Sequence, residues 1–342
     1  MRRKVAFVDH SFHQKSTATF FLMNLLREEN DVEILWDESW RNGPRADIAQ
    51  LGANGFDTLI LFQLINKYSP AELKACGCRN IVLVPMYDHS GGWSDLYWLR
   101  YRDFKVVNFS RTLHEQLQRL EMNSKYFQYF LPPVQNSAEV TKNDDGLHGF
   151  FWQRTDGITW NHIRTLISGA DFRSFHLHLA VDPPGYKKVM PTDEEIRKYN
   201  ITISEWFDAR EDYFRAASRA NVFFAPRLYE GIGMSFVEAI ADGKFIVAPD
   251  HPTMNEYIAH GVNGLLYSPA EPRPLAFPSA DALPGPVRRC ATEGYRRWCD
   301  QRAEMVDFIF SVMPRKKFWS FLPTVAMTAL KHVTVVLGRA RK

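Results

Sequence analysis

Cysteine is scarce: Cys76, Cys78, Cys290 and Cys299 are the only four among 342 residues. They form no C-x-x-C pair, and no histidine stands at zinc spacing from them, which excludes a zinc ribbon and a disulfide framework. Reduced thiols in a cytoplasmic protein are the reading that remains. Net charge is scarce too. With 42 Lys and Arg against 39 Asp and Glu the formal charge is +3, and the body of the chain has no concentrated basic stretch. Nucleic-acid binding through phosphate neutralisation is therefore not expected. Long apolar runs are missing as well. The opening MRRKVAFVDHSF has four apolar residues before Asp9 and His10, too few for a signal peptide, and reads as a first strand. Neither half of the chain opens with G-x-G-x-x-G after its first strand, which argues against a nicotinamide-dependent dehydrogenase. No Asp-x-Asp stands in a suitable loop, and no metal is expected.

What is abundant is aromatic and aliphatic: 45% of residues are hydrophobic and 14% aromatic, with 25 Phe and 9 Trp. This length exceeds what one core usually serves, so two domains are expected. Short apolar runs at 4–9, 31–36, 56–62, 79–85, 104–110 and 125–131 alternate with helical patterns at 17–27, 70–76 and 111–120. Near-continuous apolar strands separated by helices predict a parallel sheet covered on both faces. The polar stretch PPVQNSAEVTKNDDGLHG interrupts this pattern at 132–149, and the alternation resumes with strands at 149–153, 174–181, 221–226, 244–249 and 263–267. Helices are expected at 160–168, throughout 193–220, at 235–242, 254–260 and 287–313. The bounds are a first Rossmann-like domain over 1–135, a linker over 136–148, a second domain over 149–313 and a tail over 314–342. The proline-rich 268–286 reads as a surface loop.

The segment EGIGMSFVE, 230–238, carries most of the chemistry. It follows the strand at 221–226 and opens a helix, and in an open parallel sheet the loops leaving the carboxyl ends of strands form the ligand crevice. Gly231 and Gly233 let the backbone approach a bulky anion, to which the N–H groups at the helix start point. A diphosphate suits such a place, with Glu230 and Glu238 reaching hydroxyls on either side of it. A second reading stays open, because Ser235-x-x-Glu238 also spells a capping box.

Over the longer span EGIGMSFVEAIADGKFIVAPDHPTMNEYIAHGVNGLLY, 230–267, the chain resembles the donor-binding region of retaining GT-B glycosyltransferases of family 4. The resemblance implies an α/β GT-B fold, two Rossmann-like domains facing across a cleft, and transfer of a sugar from a nucleotide-diphosphate donor to a glycan or lipid-linked acceptor. PTMNEYI is similar to enzymes of bacterial surface-polysaccharide biosynthesis. Carried over by residue, Glu230 contacts the donor sugar, the backbone of Gly231, Ile232, Gly233 and Met234, with Ser235, holds the diphosphate, and Glu238 holds the ribose. Arg154, in GFFWQR, is the expected phosphate cation. The Lys-Gly that usually follows it is absent from TDGITW, leaving one charge unaccounted for, with Arg227 or Lys15 as substitutes. That gap supports the alternative of a non-catalytic GT-B relative that binds glycan or nucleotide.

In the first domain, His10, His13 and Lys15 follow the first strand as acceptor or phosphate contacts, with Ser16 or Thr17 as a plain helix N-cap the competing reading. PMYDHSGGW, 85–93, reads as a polar loop in which His89 resembles a cleft histidine of some relatives and contacts the acceptor. His176 and His178 alternate with apolar neighbours and read as strand-face residues. The tail holds Phe318, Phe321 and Leu322 among basic residues, while Pro323, Lys331 and His332 break its apolar run. It is expected to pack back on the first domain and to touch an anionic membrane surface peripherally at its end.

Overall fold

A computed structural model describes residues 2–134, 146–182 and 185–313. The chain divides into two units, one of Met1–Phe127 with the described part of Cys299–Lys342, the other of Gln128–Trp298. The expected bounds differ from this division at two places. The first unit ends at Phe127, and the chain returns to it at Cys299, inside the helix Pro284–Phe310. Most of the expected linker and all of the tail 314–342 lie outside the described residues.

In the first unit β1 (Lys4–His10), β2 (Asp31–Asp37), β3 (Thr58–Phe62), β4 (Asn80–Val84), β5 (Lys105–Asn108) and β6 (Asn123–Tyr126) form one sheet in the order β2-β1-β3-β4-β5-β6, every pair parallel. The expected parallel sheet is thus present. β3 and β5 are buried along their whole length, as strands covered on both faces must be. The second unit repeats the plan with β7 (Leu147–Trp152), β8 (Phe172–His178), β9 (Ile201–Ser204), β10 (Val222–Phe224), β11 (Phe245–Pro249) and β12 (Gly264–Tyr267), ordered β12-β11-β10-β7-β8-β9 and again all parallel. Each sheet reverses its winding direction once. In the first, β2 and β3 flank β1 on opposite sides; in the second, β8 and β10 flank β7. The crevice at the carboxyl ends of strands at such a reversal is where open α/β sheets bind ligands.

Several expected elements changed. The stretch 193–220 is two helices, Asp193–Lys198 and Arg210–Ser218, with β9 between them. β9 is a four-residue edge strand whose Thr202 and Ile203 are exposed, so it lacks the apolar run that announces a buried strand. KYFQYFL gives a strand only through Tyr126. Its aromatics are buried because Tyr129 packs on Trp298 and Phe130 on Tyr257, not through sheet pairing. The polar loop expected at 85–93 instead contains the helix Tyr87–Ser90. The proline-rich segment is anchored, with Leu275 N–H bonded to the Leu166 carbonyl and Phe277 edge-on to Phe172. Among the described residues no helix is long and apolar enough to cross a membrane.

His176 and His178 fill the face of β8, as read from the alternation. His176 Nδ1 meets Thr202 Oγ1 at 2.8 Å, and both rings reach Ser204 Oγ at 2.8 Å, while Phe150 stacks on His176 and Phe207 on His178. Burial first, then Arg219 for His176 and His176 for His178, lowers both to about 4. The unfolded chain takes up these protons near pH 6.5, the native chain only near 4, so stability is complete at neutral pH and is lost as pH falls through that window. With the solvent contact that His176 keeps, the expected loss between pH 7 and pH 4 is about 2 kcal/mol for the pair. Denaturant titrations at the two pH values, on wild type and on a His176→Asn, His178→Asn double variant, measure it. An equal pH slope in both proteins would remove these rings as the cause.

Candidate donor site at the reversal of the second sheet

Three loops meet at the carboxyl ends of the neighbouring strands β7, β10 and β11. After β10 the chain runs through Arg227 to Gly233 and enters the helix Met234–Ala241. Gly233 is its N-cap, with φ +77, and a Cβ there would stand 2.0 Å from a ring carbon of Phe236. Both the left-handed backbone and the packing require glycine. This resolves the open reading of Ser235-x-x-Glu238: the helix starts one residue before Ser235 and has no side-chain cap, so the alternative of a capping box there is not realised. The Gly233 carbonyl accepts from the N–H groups of Phe236 and Val237. Met234 and Ser235, which precede them, have no carbonyl of their own helix within reach.

Glu230 is buried, at 6% exposure, and its Oε2 lies 3.3 Å from Arg227 Nη1. Gly231, Ile232 and Gly233 are buried as well, whereas Met234, Ser235 and Glu238 are partly exposed. From the β11 side, Thr253 Oγ1 donates to the Glu230 carbonyl at 3.2 Å, and His251 packs on Tyr229 with ring centres 4.5 Å apart. From the β7 side, a Cβ on Gly157 would stand 3.2 Å from Leu228. The loop after β7 therefore lies directly against the loop after β10.

Arg154, at the end of β7, is half-buried. Its guanidinium lies over Trp152, 5.2 Å from the ring centre, and 3.7 Å from the Asp182 carboxylate. The distance and the exposure of both partners make this a weak pair. Gln153 beside it is wholly buried and spans to the 187–189 segment, donating to the Lys187 carbonyl and accepting from Val189 N–H. Sequence reasoning did not single out Gln153, Thr253, His251 or Asp182, since none has a local pattern. Their roles come from which strands are neighbours.

Not every signature in the 230–267 resemblance belongs to the loop after β10. Asn263 in GVNGLL is buried and closes its own turn, accepting from Ala259 N–H and donating to the Tyr257 carbonyl. A Cβ on Gly264 would stand 2.3 Å from the Ile246 carbonyl oxygen, which explains that glycine by strand packing. His89 belongs to the first unit, exposed in its helical turn with Trp93 edge-on at 5.5 Å, and partial desolvation lowers its pKa.

Residues 193–289 match the family model of glycosyl transferases group 1. No curated protein matches the chain. Among solved structures, sucrose-phosphate synthase from Thermosynechococcus elongatus is similar over 98% of this chain and 100% of its own, at 12% identity and a TM-score of 0.54. The lipopolysaccharide outer core galactosyltransferase WaaB, in its apo form, is similar over 96% and 99%, at 13% identity and 0.52. Anabaena Alr3699/HepE in complex with UDP is similar over 96% and 100%, at 13% identity and 0.52. At these identities the likeness is one of fold. Residues 193–289 thus resemble the glycosyl transferases group 1, and the two Rossmann-like units have the GT-B fold.

Proposed function

We propose that the protein is a retaining glycosyltransferase that moves a hexose-type sugar from a nucleotide-diphosphate donor to a glycan or lipid-linked acceptor in polysaccharide biosynthesis. The observation that carries this reading is the meeting of the Arg154 loop with the loop of Glu230 and Gly233 at the winding reversal of the second sheet. In the reaction, the bond from the anomeric carbon to the donor phosphate breaks and negative charge grows on the departing diphosphate. The unpaired N–H groups at the start of Met234–Ala241 and the Arg154 guanidinium, released from Asp182, stabilise that charge as it develops. Glu230, held by Arg227, accepts hydrogen bonds from the sugar hydroxyls, and Glu238, one turn into the helix, accepts those of the ribose.

The attacking hydroxyl gives its proton to the donor phosphate, so retention needs no separate base, and His89 serves as an acceptor contact in the first unit. Arg154 and Arg227 supply the charge that a metal would otherwise bring, and we expect activity to survive chelation. A cytoplasmic location, with the tail touching an anionic membrane peripherally, fits a lipid-linked acceptor; co-sedimentation of full-length and tail-deleted protein with anionic vesicles tests that part.

The absence of a Lys in 155–160 favours one other reading, a GT-B protein that binds nucleotide or glycan without turnover. Calorimetry with UDP and other nucleoside diphosphates, followed by assay of each matching sugar nucleotide with EDTA present, separates the two. A transferase shows binding and release of the free sugar or a glycoside, whereas a binder shows heat alone. Absence of any nucleotide binding defeats both.

A further inference from the structure

A second arrangement stands at the winding reversal of the first sheet, where β1 ends between β2 and β3. Asp9, the penultimate residue of β1, is wholly buried, and its carboxylate is fully engaged. Oδ1 accepts from His10 N–H and from His13 Nδ1, both at 2.8 Å; Oδ2 accepts from Thr19 Oγ1 at 2.7 Å and from His13 Nδ1 at 3.0 Å. The sequence reading of Ser16 or Thr17 as a helix N-cap is corrected here. Thr17 ends the helix Phe12–Ser16 in a left-handed conformation, and the next helix, Phe20–Arg27, is preceded by Thr19, whose hydroxyl is given to Asp9 rather than to its own helix.

The carboxylate fixes more than the position of His13. A carboxylate only accepts, so the proton of the neutral ring sits on Nδ1 and the lone pair on Nε2. Among the described residues Nε2 has no hydrogen-bond partner, and the side chain keeps 10% exposure. Phe62 stands edge-on to the ring and His10 lies over it, with ring centres 5.7 and 3.8 Å away. His10 is itself held by Gln63, at 3.1 Å, and burial, then His13, lowers its pKa. An acceptor atom without a partner among the described residues thus stands on a rigid mount with a little solvent access.

Beside it is an aromatic surface. Trp40 is 42% exposed, its indole N–H given to Ser11 Oγ at 3.0 Å, and it packs against Phe12 and His10 with ring centres 5.7 and 5.8 Å away. Arg41, highly exposed and paired with Glu38, lies over this ring at 5.5 Å and can swing aside. A large apolar ring held by a hydrogen bond, linked through His10 to an unpartnered acceptor, suits one ligand chemistry. A pyranose offers a face of C–H groups to the ring and hydroxyl donors at its rim.

We infer that His13 and Trp40 form the sugar-binding subsite of the first unit, in which His13 Nε2 accepts a hydrogen bond from a hydroxyl of the carbohydrate acceptor while Trp40 carries the face of the same sugar. This rests on the glycosyltransferase reading. Asp9 and Thr19 are positioning residues, since they act through the ring. Phosphate is disfavoured by the Nδ1–H tautomer, in which Nε2 carries a lone pair and no proton. Ligand atoms of Asp9, His10 and His13 also lie within 4.8 Å of one another, as a metal would require. A metal on Asp9 would have to compete with the four contacts its carboxylate already receives, so the hydroxyl ligand is favoured.

Nitrogen NMR of histidine-labelled full-length protein at pH 8 tests this with methyl α-glucoside, α-galactoside and α-mannoside as probes, and with phosphate and Zn²⁺ as controls. Expected are a His13 ring protonated at Nδ1, an Nε2 signal moved saturably by at least one glycoside, and no response to phosphate. By calorimetry, His13→Ala and Trp40→Ala each weaken that glycoside about tenfold, while UDP affinity stays as in wild type. Asp9→Asn shifts part of the ring to the Nε2–H form, which a merely structural role would not. A ring protonated at Nε2 in wild type, silence to all three glycosides, a response to phosphate, or stoichiometric Zn²⁺ uptake overturns the proposal. Glycoside binding without any nucleotide binding or turnover would instead defeat the glycosyltransferase reading and leave this subsite standing.

Discussion

Glu230→Gln is expected to lower donor turnover by about a hundred- to a thousandfold, the range seen when one charged or oriented contact to a transition state is removed. The substitution preserves volume, so the loop should keep its shape. Gly233 would still set the helix start, and Thr253 would still bond the Glu230 carbonyl. What changes is the charge. Gln accepts more weakly from sugar hydroxyls and releases Arg227, which is a third exposed and can turn to water. Stability should therefore fall by less than about 1 kcal/mol. Glu230→Ala is expected to show the same kinetic loss with a slightly larger drop in melting temperature. The two measurements together decide the matter: a fully active Glu230→Gln protein would remove the residue from the site, and a large melting shift with proportionate loss of activity would reduce its role to loop packing.

The reason this residue was legible, and others were not, lies in how local each signal is. E-G-x-G is contiguous, and Gly233 is required by its own φ and by Phe236 three residues away, so a short window contains the physics. The parallel sheets were legible for the same reason, since a strand buried on both faces is apolar without interruption, as β3 and β11 are. β9 was missed because an edge strand with two exposed residues has no such run. The winding reversals were not legible at all. They depend on β10 lying against β7 across some seventy residues, and nothing in either segment states which strand is its neighbour. Asp9 belongs to the same class: its spacing from His13 crosses a strand end and a helix start, so no single periodicity predicts that they meet. His10 and His13 could be suspected from type and position, but the tautomer that decides what they bind needed the carboxylate.

The other large effect is expected far from either site, at Lys105. This residue of β5 is 1% exposed, an unusual place for a lysine, and its Nζ donates to the carbonyls of Phe308 at 3.0 Å, Ile309 at 2.5 Å and Ser311 at 2.6 Å. These are the orphaned carbonyls at the end of the helix Pro284–Phe310, where the helix dipole also favours a cation. Asn80 Nδ2 adds a fourth contact, to the Ile309 carbonyl at 2.6 Å. An ammonium in so dry a place is tolerated because all three of its protons are used. Lys105→Met keeps most of the volume and removes the charged donor, leaving the Ile309 carbonyl to Asn80 and the Phe308 carbonyl to the Ser311 hydroxyl. What is lost is the charge-assisted bonding at the helix end, so the expected cost is about 2 kcal/mol. The same helix lies partly in the second unit, from Pro284 to Trp298, whose own core does not include Lys105. Hydrogen exchange should therefore show a loss of protection concentrated in β4, β5 and residues 299–311, with β7, β10 and β11 nearly unchanged. UDP affinity, read by calorimetry below the melting temperature, should be close to that of wild type. A Lys105→Met protein as stable as wild type would mean that water replaces the ammonium at the helix end, and a uniform loss of protection in both units would mean that they unfold as one.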